Sequence, residues 1–132
     1  MLTYQIKTHQ LNRTYNQPHF FVLNKGLNSG KPLEKPCPNC FVIIAQNNEA
    51  KKELFYISMA LQMSKKFEYF LKGSVIPFIT ISDTKKVITA GLKNYTSKQW
   101  QIKIDQLKKI MTYEQNLKQQ LNTISKLKMA LL

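Results

Sequence analysis

The sequence predicts an α+β domain, a small mixed β-sheet with packed helices, followed by a long C-terminal amphipathic helix. Three observations carry this prediction. Two apolar, β-rich runs stand at Phe20–Leu23 and Phe41–Ala45, apolar residues recur at helical spacing between Glu49 and Leu71, and residues 97–132 contain no Gly and no Pro. A chain of 132 residues with 43% hydrophobic content has the material for one core. The expected division is a domain over 1–96 and a helix over 97–132.

The elements follow in order. The first 23 residues alternate loosely and end in Phe20-Phe21-Val22-Leu23, which reads as a buried strand after a turn at Asn16-Gln17-Pro18. Between Asn24 and Asn39 the chain is polar, and Gly26, Gly30, Pro32, Pro36 and Pro38 interrupt regular structure, so a long loop is expected. Phe41-Val42-Ile43-Ile44-Ala45 reads as a central strand, and Gln46-Asn47-Asn48 closes it with a turn that can cap a helix. Leu54, Ile57 and Leu61, with Phe55 and Met59, predict one long helix or two short ones over 49–71. Gly73 stops it. Val75-Ile76-Pro77-Phe78-Ile79 must be extended because Pro77 forbids helix, and Ser82-Asp83 caps a short helix running toward Gly91.

The last stretch offers a heptad seam in which steps of three and four alternate: Leu107, Ile110, Glu114, Leu117, Leu121, Ile124, Lys128 and Leu131. Two of these positions are charged, and Tyr113 and Leu127 lie beside them and fill the stripe. Such a helix, starting near Ser97, needs a partner surface.

Charge is the first unusual feature of the composition. Twenty basic residues against seven acidic ones leave +13, far more than solubility requires, and point to an anionic partner. Nineteen of the twenty are Lys and Arg13 is the single Arg. Lys neutralises phosphate well but lacks the planar fork that reads guanine, so the composition favours backbone contact over base reading. The charge is spread evenly, +4 over 1–48, +4 over 49–96 and +5 over 97–132, and abundant Lys, Asn and Ile also suit an AT-rich coding bias. Met1 to Gln10 is polar, which argues against a signal peptide, and no apolar run is long enough to span a membrane. A cytoplasmic protein with reduced cysteines is expected.

Cys37-Pro38-Asn39-Cys40 has the spacing of a metal clip or a redox pair. Zinc wants four ligands, and the only supplements, His9 and His19, show no finger spacing. A redox pair belongs at a helix start, whereas Cys40 leads into an apolar strand, so two small residues entering the core is the favoured reading and no metal is expected. Gly26-Leu27-Asn28-Ser29-Gly30-Lys31 suggests a phosphate loop, but Pro32 follows the lysine where a hydroxyl and a helix are needed. Lys25 or Lys31 touching a nucleic-acid phosphate fits better than ATP hydrolysis. No acid–base pair, triad or carboxylate set stands out, so no catalytic residue and no cofactor are assigned.

The strand and loop Val22-Leu23-Asn24-Lys25-Gly26 to Ser29-Gly30-Lys31, the strand Asn39 to Ile44, the Tyr-, Phe- and Leu-rich helix from Leu54 to Leu71, the segment Lys72-Gly73-Ser74-Val75-Ile76-Pro77-Phe78-Ile79, the helix start Ser82-Asp83-Thr84-Lys85 and the closing Leu-Lys-Met-Ala-Leu-Leu come in a telling order. From Phe20 to Leu132 this order resembles the target-recognition domain of type I restriction-modification specificity subunits and their spacer helix. The chain departs from that family at Asn94-Tyr95-Thr96-Ser97, where a Pro-Leu-Pro-like segment and Glu-Gln are usual, and it spans about half a recognition domain plus helix. In such subunits two domains and two helices bind a bipartite DNA site, while separate methyltransferase and translocase subunits do the chemistry.

The resemblance implies a non-catalytic, half-length DNA-binding subunit whose partners are double-stranded DNA, a methyltransferase or other protein, and a second copy of itself. Lys25, Lys31, Lys72, Lys85 and Lys86 are the expected backbone contacts, with Asn24, Asn28 and Ser74 as polar contacts in the loops. Base discrimination would fall to Asn28 or Arg13. Leu107, Ile110, Leu117, Leu121, Ile124 and Leu131 form the expected dimer or partner face. The alternative is a protein-interaction module using the C-terminal helix, with the lysines serving solubility.

Overall fold

The computed structural model describes residues 2–94 and 97–132. Among the described residues four strands come first, β1 (Tyr4–Thr8), β2 (His19–Leu23), β3 (Pro32–Leu33) and β4 (Cys40–Ala45), and helices α1 (Asn48–Met63), α2 (Ile81–Asn94) and α3 (Lys98–Leu131) follow, with a 3-10 turn at Glu68–Phe70. The fold is α+β. Its one sheet has the order β1-β4-β2-β3 and is antiparallel throughout, not mixed as the sequence suggests. The reason is connectivity: all four strands precede the first helix, so no helical crossover is available to bring two of them parallel.

β4 is the central strand, with Ile43 opposite Ile6 of β1 and Phe20 of β2. Phe20, Val22, Phe41, Ile43 and Ala45 share one face of the sheet and pack with Ala50, Leu54, Ile57 and Leu61 of α1. Phe21, Cys40 and Val42 point the other way and are buried too, beneath Tyr15, Leu33 and Cys37. Burial on both faces is why β4 reads as an unbroken apolar run where a half-exposed strand would alternate. β1 does alternate, with Tyr4 and Ile6 packed against the core and Gln5 and Lys7 in water, so the loose pattern at the N-terminus is an edge strand. Pro32 closes the opposite edge on β3, where a missing backbone N–H costs no ladder bond.

α1 starts as its sequence promises. Asn47 is the N-cap, its side chain accepting from the Ala50 amide at 2.7 Å, with Glu49 in the first turn. It ends earlier than a helix reaching Leu71. Lys65 adopts φ +63, its amide donates to the Gln62 carbonyl, and the Lys66 amide donates to that of Leu61, a helix-terminating pattern usually built on glycine. The chain then drops Phe67 into the core, 1% exposed.

α3 packs on α1 with its first third only. Trp100 and Ile104 join the core, and Lys108 reaches Glu53 of α1 at 2.9 Å and lies over the Tyr56 ring. From Thr112 onward every residue of the helix is exposed. The expected boundary between 96 and 97 adjoins Thr96, and Tyr95 and Thr96 lie outside the described residues. Among the described residues, no helix is long and apolar enough to cross a membrane.

Candidate nucleic-acid interface

Two segments 47 residues apart, the glycine loop after β2 and the stretch after the 3-10 turn, meet side by side. Lys25 and Lys72 each bridge to Phe78, so three short extended pieces run adjacent with Phe78 in the middle. The Lys72 amide donates to the Phe78 carbonyl at 2.9 Å and the Phe78 amide returns the bond at 2.8 Å. The Gly26 amide donates to Pro77 at 2.7 Å, and the Ile79 amide to Asn24 at 3.0 Å. Only Ile79 of this stretch is buried, so 75–79 is a loop-borne bridge and not the core strand that its apolar composition suggests.

The glycines have different tasks. Gly30 has φ +95, and a Cβ there would stand 2.3 Å from the Phe67 ring, so a bare backbone is needed for Phe67 to close over the loop. Ser29 is 2% exposed and ties the turn by donating its hydroxyl to the Gly26 carbonyl at 2.7 Å.

Asp83 organises the lysines. α2 begins at Ile81, one residue before the expected cap, because the Thr80 hydroxyl accepts from the Asp83 amide at 3.2 Å. Asp83 is therefore within the first turn, where the helix dipole favours a carboxylate. It is 8% exposed and holds Lys72 at 3.4 Å through one oxygen and Lys86 at 3.8 Å through the other. Lys72 and Lys86 thus meet at Asp83, and Lys25 stands across Phe78 from Lys72.

The other expected contacts fall nearby or elsewhere. Lys31 is exposed beyond Gly30, and its carbonyl accepts from the Leu23 amide. Lys85 is exposed on α2, where it borders one shallow surface with Ser82, Lys86 and Thr89. Asn28 and Ser74 are exposed, while Asn24 is half-buried and bonds through its backbone to Asn39 and Ile79, which makes it a structural hinge of the loop. Arg13 lies over the Tyr15 ring, in the aromatic group with His9, His19 and Phe21 that covers the outer sheet face, so it is not part of the lysine cluster. Sequence reasoning missed the Asp83 clamp and the exposed apolar tip. The clue to the first was a lone carboxylate flanked by lysines.

Cys40 is buried and donates to the Cys37 carbonyl at 3.1 Å; burial pushes its thiol above the usual range. No group of three or more His, Cys, Asp or Glu residues able to hold a metal occurs among the described residues.

Of the helix face, Leu107 is half-buried near the α1 contact, while Ile110, Leu117, Leu121, Ile124 and Leu131 are all exposed. Tyr113 and Leu127 extend the same exposed stripe.

Residues 6–132 match the model of DUF6943, a family of unknown function. No curated protein matches the chain.

Proposed function

We propose that this chain, which belongs to DUF6943, is a cytoplasmic, non-catalytic DNA-binding protein that grips the phosphate backbone of a duplex. The gathering of Lys25, Lys72 and Lys86 on one rigid unit carries the reading. Two segments distant in sequence are tied by two backbone hydrogen bonds, Gly26 to Pro77 and Ile79 to Asn24, and Lys72 and Lys86 share Asp83, which supports their acting together on a phosphate backbone. Lys31 and Lys85 extend the surface, and Asn28 and Ser74 add polar contacts. Each chain acts as a half specificity subunit of the restriction-modification type, pairs with a second copy through α3, and leaves chemistry to a methyltransferase or other protein.

Fluorescence anisotropy with labelled duplex across a salt series tests this. Affinity should fall steeply with salt, and Lys25→Ala, Lys72→Ala and Lys86→Ala should each lower the slope by about one unit. Affinity indifferent to salt, or no binding at low salt, sinks the reading.

A second reading has its own observation. The bare apolar stripe beyond Thr112 suits a protein-interaction module in which the lysines only solubilise. Under it, the three lysine variants leave every interaction of the protein intact.

A further inference from the structure

The loop that carries Lys72 and Phe78 presents an apolar tip. Val75 is 90% exposed and Ile76 60%, and Pro77 and Phe78 continue the patch. Isolated exposed aliphatic residues are ordinary, but adjacent ones at the end of a stiff projection are not. The projection is stiff because its base is fastened on both sides. Lys72 and Phe78 exchange two backbone bonds, Gly26 and Asn24 bond the far side of Pro77 and Ile79, and Ile79 is 3% exposed in the core. Gly73 makes the turn at φ +95, with the Ile76 carbonyl 3.0 Å from where a Cβ would stand. The fold therefore holds two β-branched side chains out in water above a base flanked by Lys25 and Lys72.

Resting on the DNA reading above, we propose that Val75 and Ile76 form a wedge that enters a base-pair step of duplex DNA and kinks it, while Lys25, Lys72 and Lys86 hold the flanking phosphates. Three observations fit a base step. The tip, Val75 and Ile76 with Pro77 and Phe78 behind them, is far smaller than the broad patch of a stable protein interface. Aliphatic side chains next to a proline are the chemistry that unstacks bases, since they fill the opened gap without needing hydrogen bonds. Charge complementarity agrees, because Lys25 and Lys72 pair with Phe78 from either side at the base of the tip and Lys86 shares Asp83 with Lys72. A bilayer surface is the competing occupant, and binding to vesicles is the arm of the test that detects it.

The test uses the full chain and a short duplex carrying a fluorescence donor at one end and an acceptor at the other, with anisotropy recorded in parallel. Binding should raise energy transfer as the duplex kinks. Val75→Ser with Ile76→Ser should abolish that rise and weaken binding about tenfold, with the salt slope unchanged. Both positions are exposed, so the variant loses no core packing, and circular dichroism checks its fold. Val75→Met with Ile76→Phe should retain the kink. Salt-dependent binding with no change in energy transfer, equal in the Ser variant, overturns the wedge and leaves the DNA reading standing. Failure to bind duplex, together with binding to phosphatidylserine vesicles that the Ser variant loses, overturns both.

Discussion

At Gly30 a backbone angle and a side-chain contact act together. Its φ of +95 is one that L side chains rarely adopt, and Phe67 occupies the space of a Cβ. Gly30→Ala must therefore both strain the turn and displace a buried ring, and it should cost about 3 kcal/mol or more, read from the urea midpoint. Asp83→Asn is the opposite kind of change. Lys72 and Lys86 are more than half exposed, so losing their ion pairs should cost under about 1 kcal/mol. The same substitution removes a negative charge from the lysine cluster, so duplex affinity at fixed salt should rise; an unchanged or lower affinity in the anisotropy assay would contradict phosphate contact there. Cys40 gives a pH signature. Burial raises its thiol above the ordinary 9.0, so as pH climbs past that value the unfolded chain gives up its proton first. That contribution to stability is complete below about pH 9 and is lost on rising through the folded-state value. Urea titrations on the alkaline side should show the loss, and Cys40→Ala should reduce it.

At the scale of elements, what was legible had local causes. The strands Phe20–Leu23 and Phe41–Ala45, the Asn47 cap and the helix starting near Ser97 were signalled by composition, periodicity and capping chemistry, and β2, β4, α1 and α3 occupy those places. Three features were not legible. β1 paired with a strand 36 residues away, and its weak alternation carried no mark of a partner. α1 stopped at Met63 by a left-handed Lys65, a conformation for which glycine is the usual signal. Of the apolar run 75–79 only Ile79 found the core, and Val75 and Ile76 went to a loop tip. Of the candidate site, the lysines were named from their loops, while their meeting around Asp83 depended on tertiary pairing that no local pattern reports. α3 permits a direct test of where the domain ends. Ile104 is 4% exposed among core residues, so Ile104→Ala should cost about 2–5 kcal/mol. A chain stopping after Met111 removes only exposed residues and should keep the midpoint of the intact protein within about 0.5 kcal/mol. A large drop on that truncation would mean that the outer helix packs back on the domain.

The whole molecule is an α+β domain from which a helical rod extends about 30 Å beyond Met111, at 1.5 Å per residue. An isolated rod with an apolar stripe invites a second copy, and its charges indicate the direction. Glu114 and Lys128 both fall on the seam. In a parallel pair each would oppose its own copy, glutamate on glutamate and lysine on lysine. In an antiparallel pair centred between Leu121 and Ile124, Glu114 of one chain comes within a turn of Lys128 of the other, and the two domains stand at opposite ends of the rod. Light scattering should give twice the chain mass, and Leu117→Asp with Leu121→Asp should give a monomer. Direction is then read from charge reversal. Glu114→Lys and Lys128→Glu should each weaken the antiparallel dimer by about fivefold, since each creates two like-charge contacts, and the double variant should restore it. A parallel dimer keeps like charges opposed in all of these variants, so sedimentation showing the same dimer affinity in both single variants and the double variant would reverse the direction, and a monomeric mass for the unaltered chain would leave the stripe to a different protein.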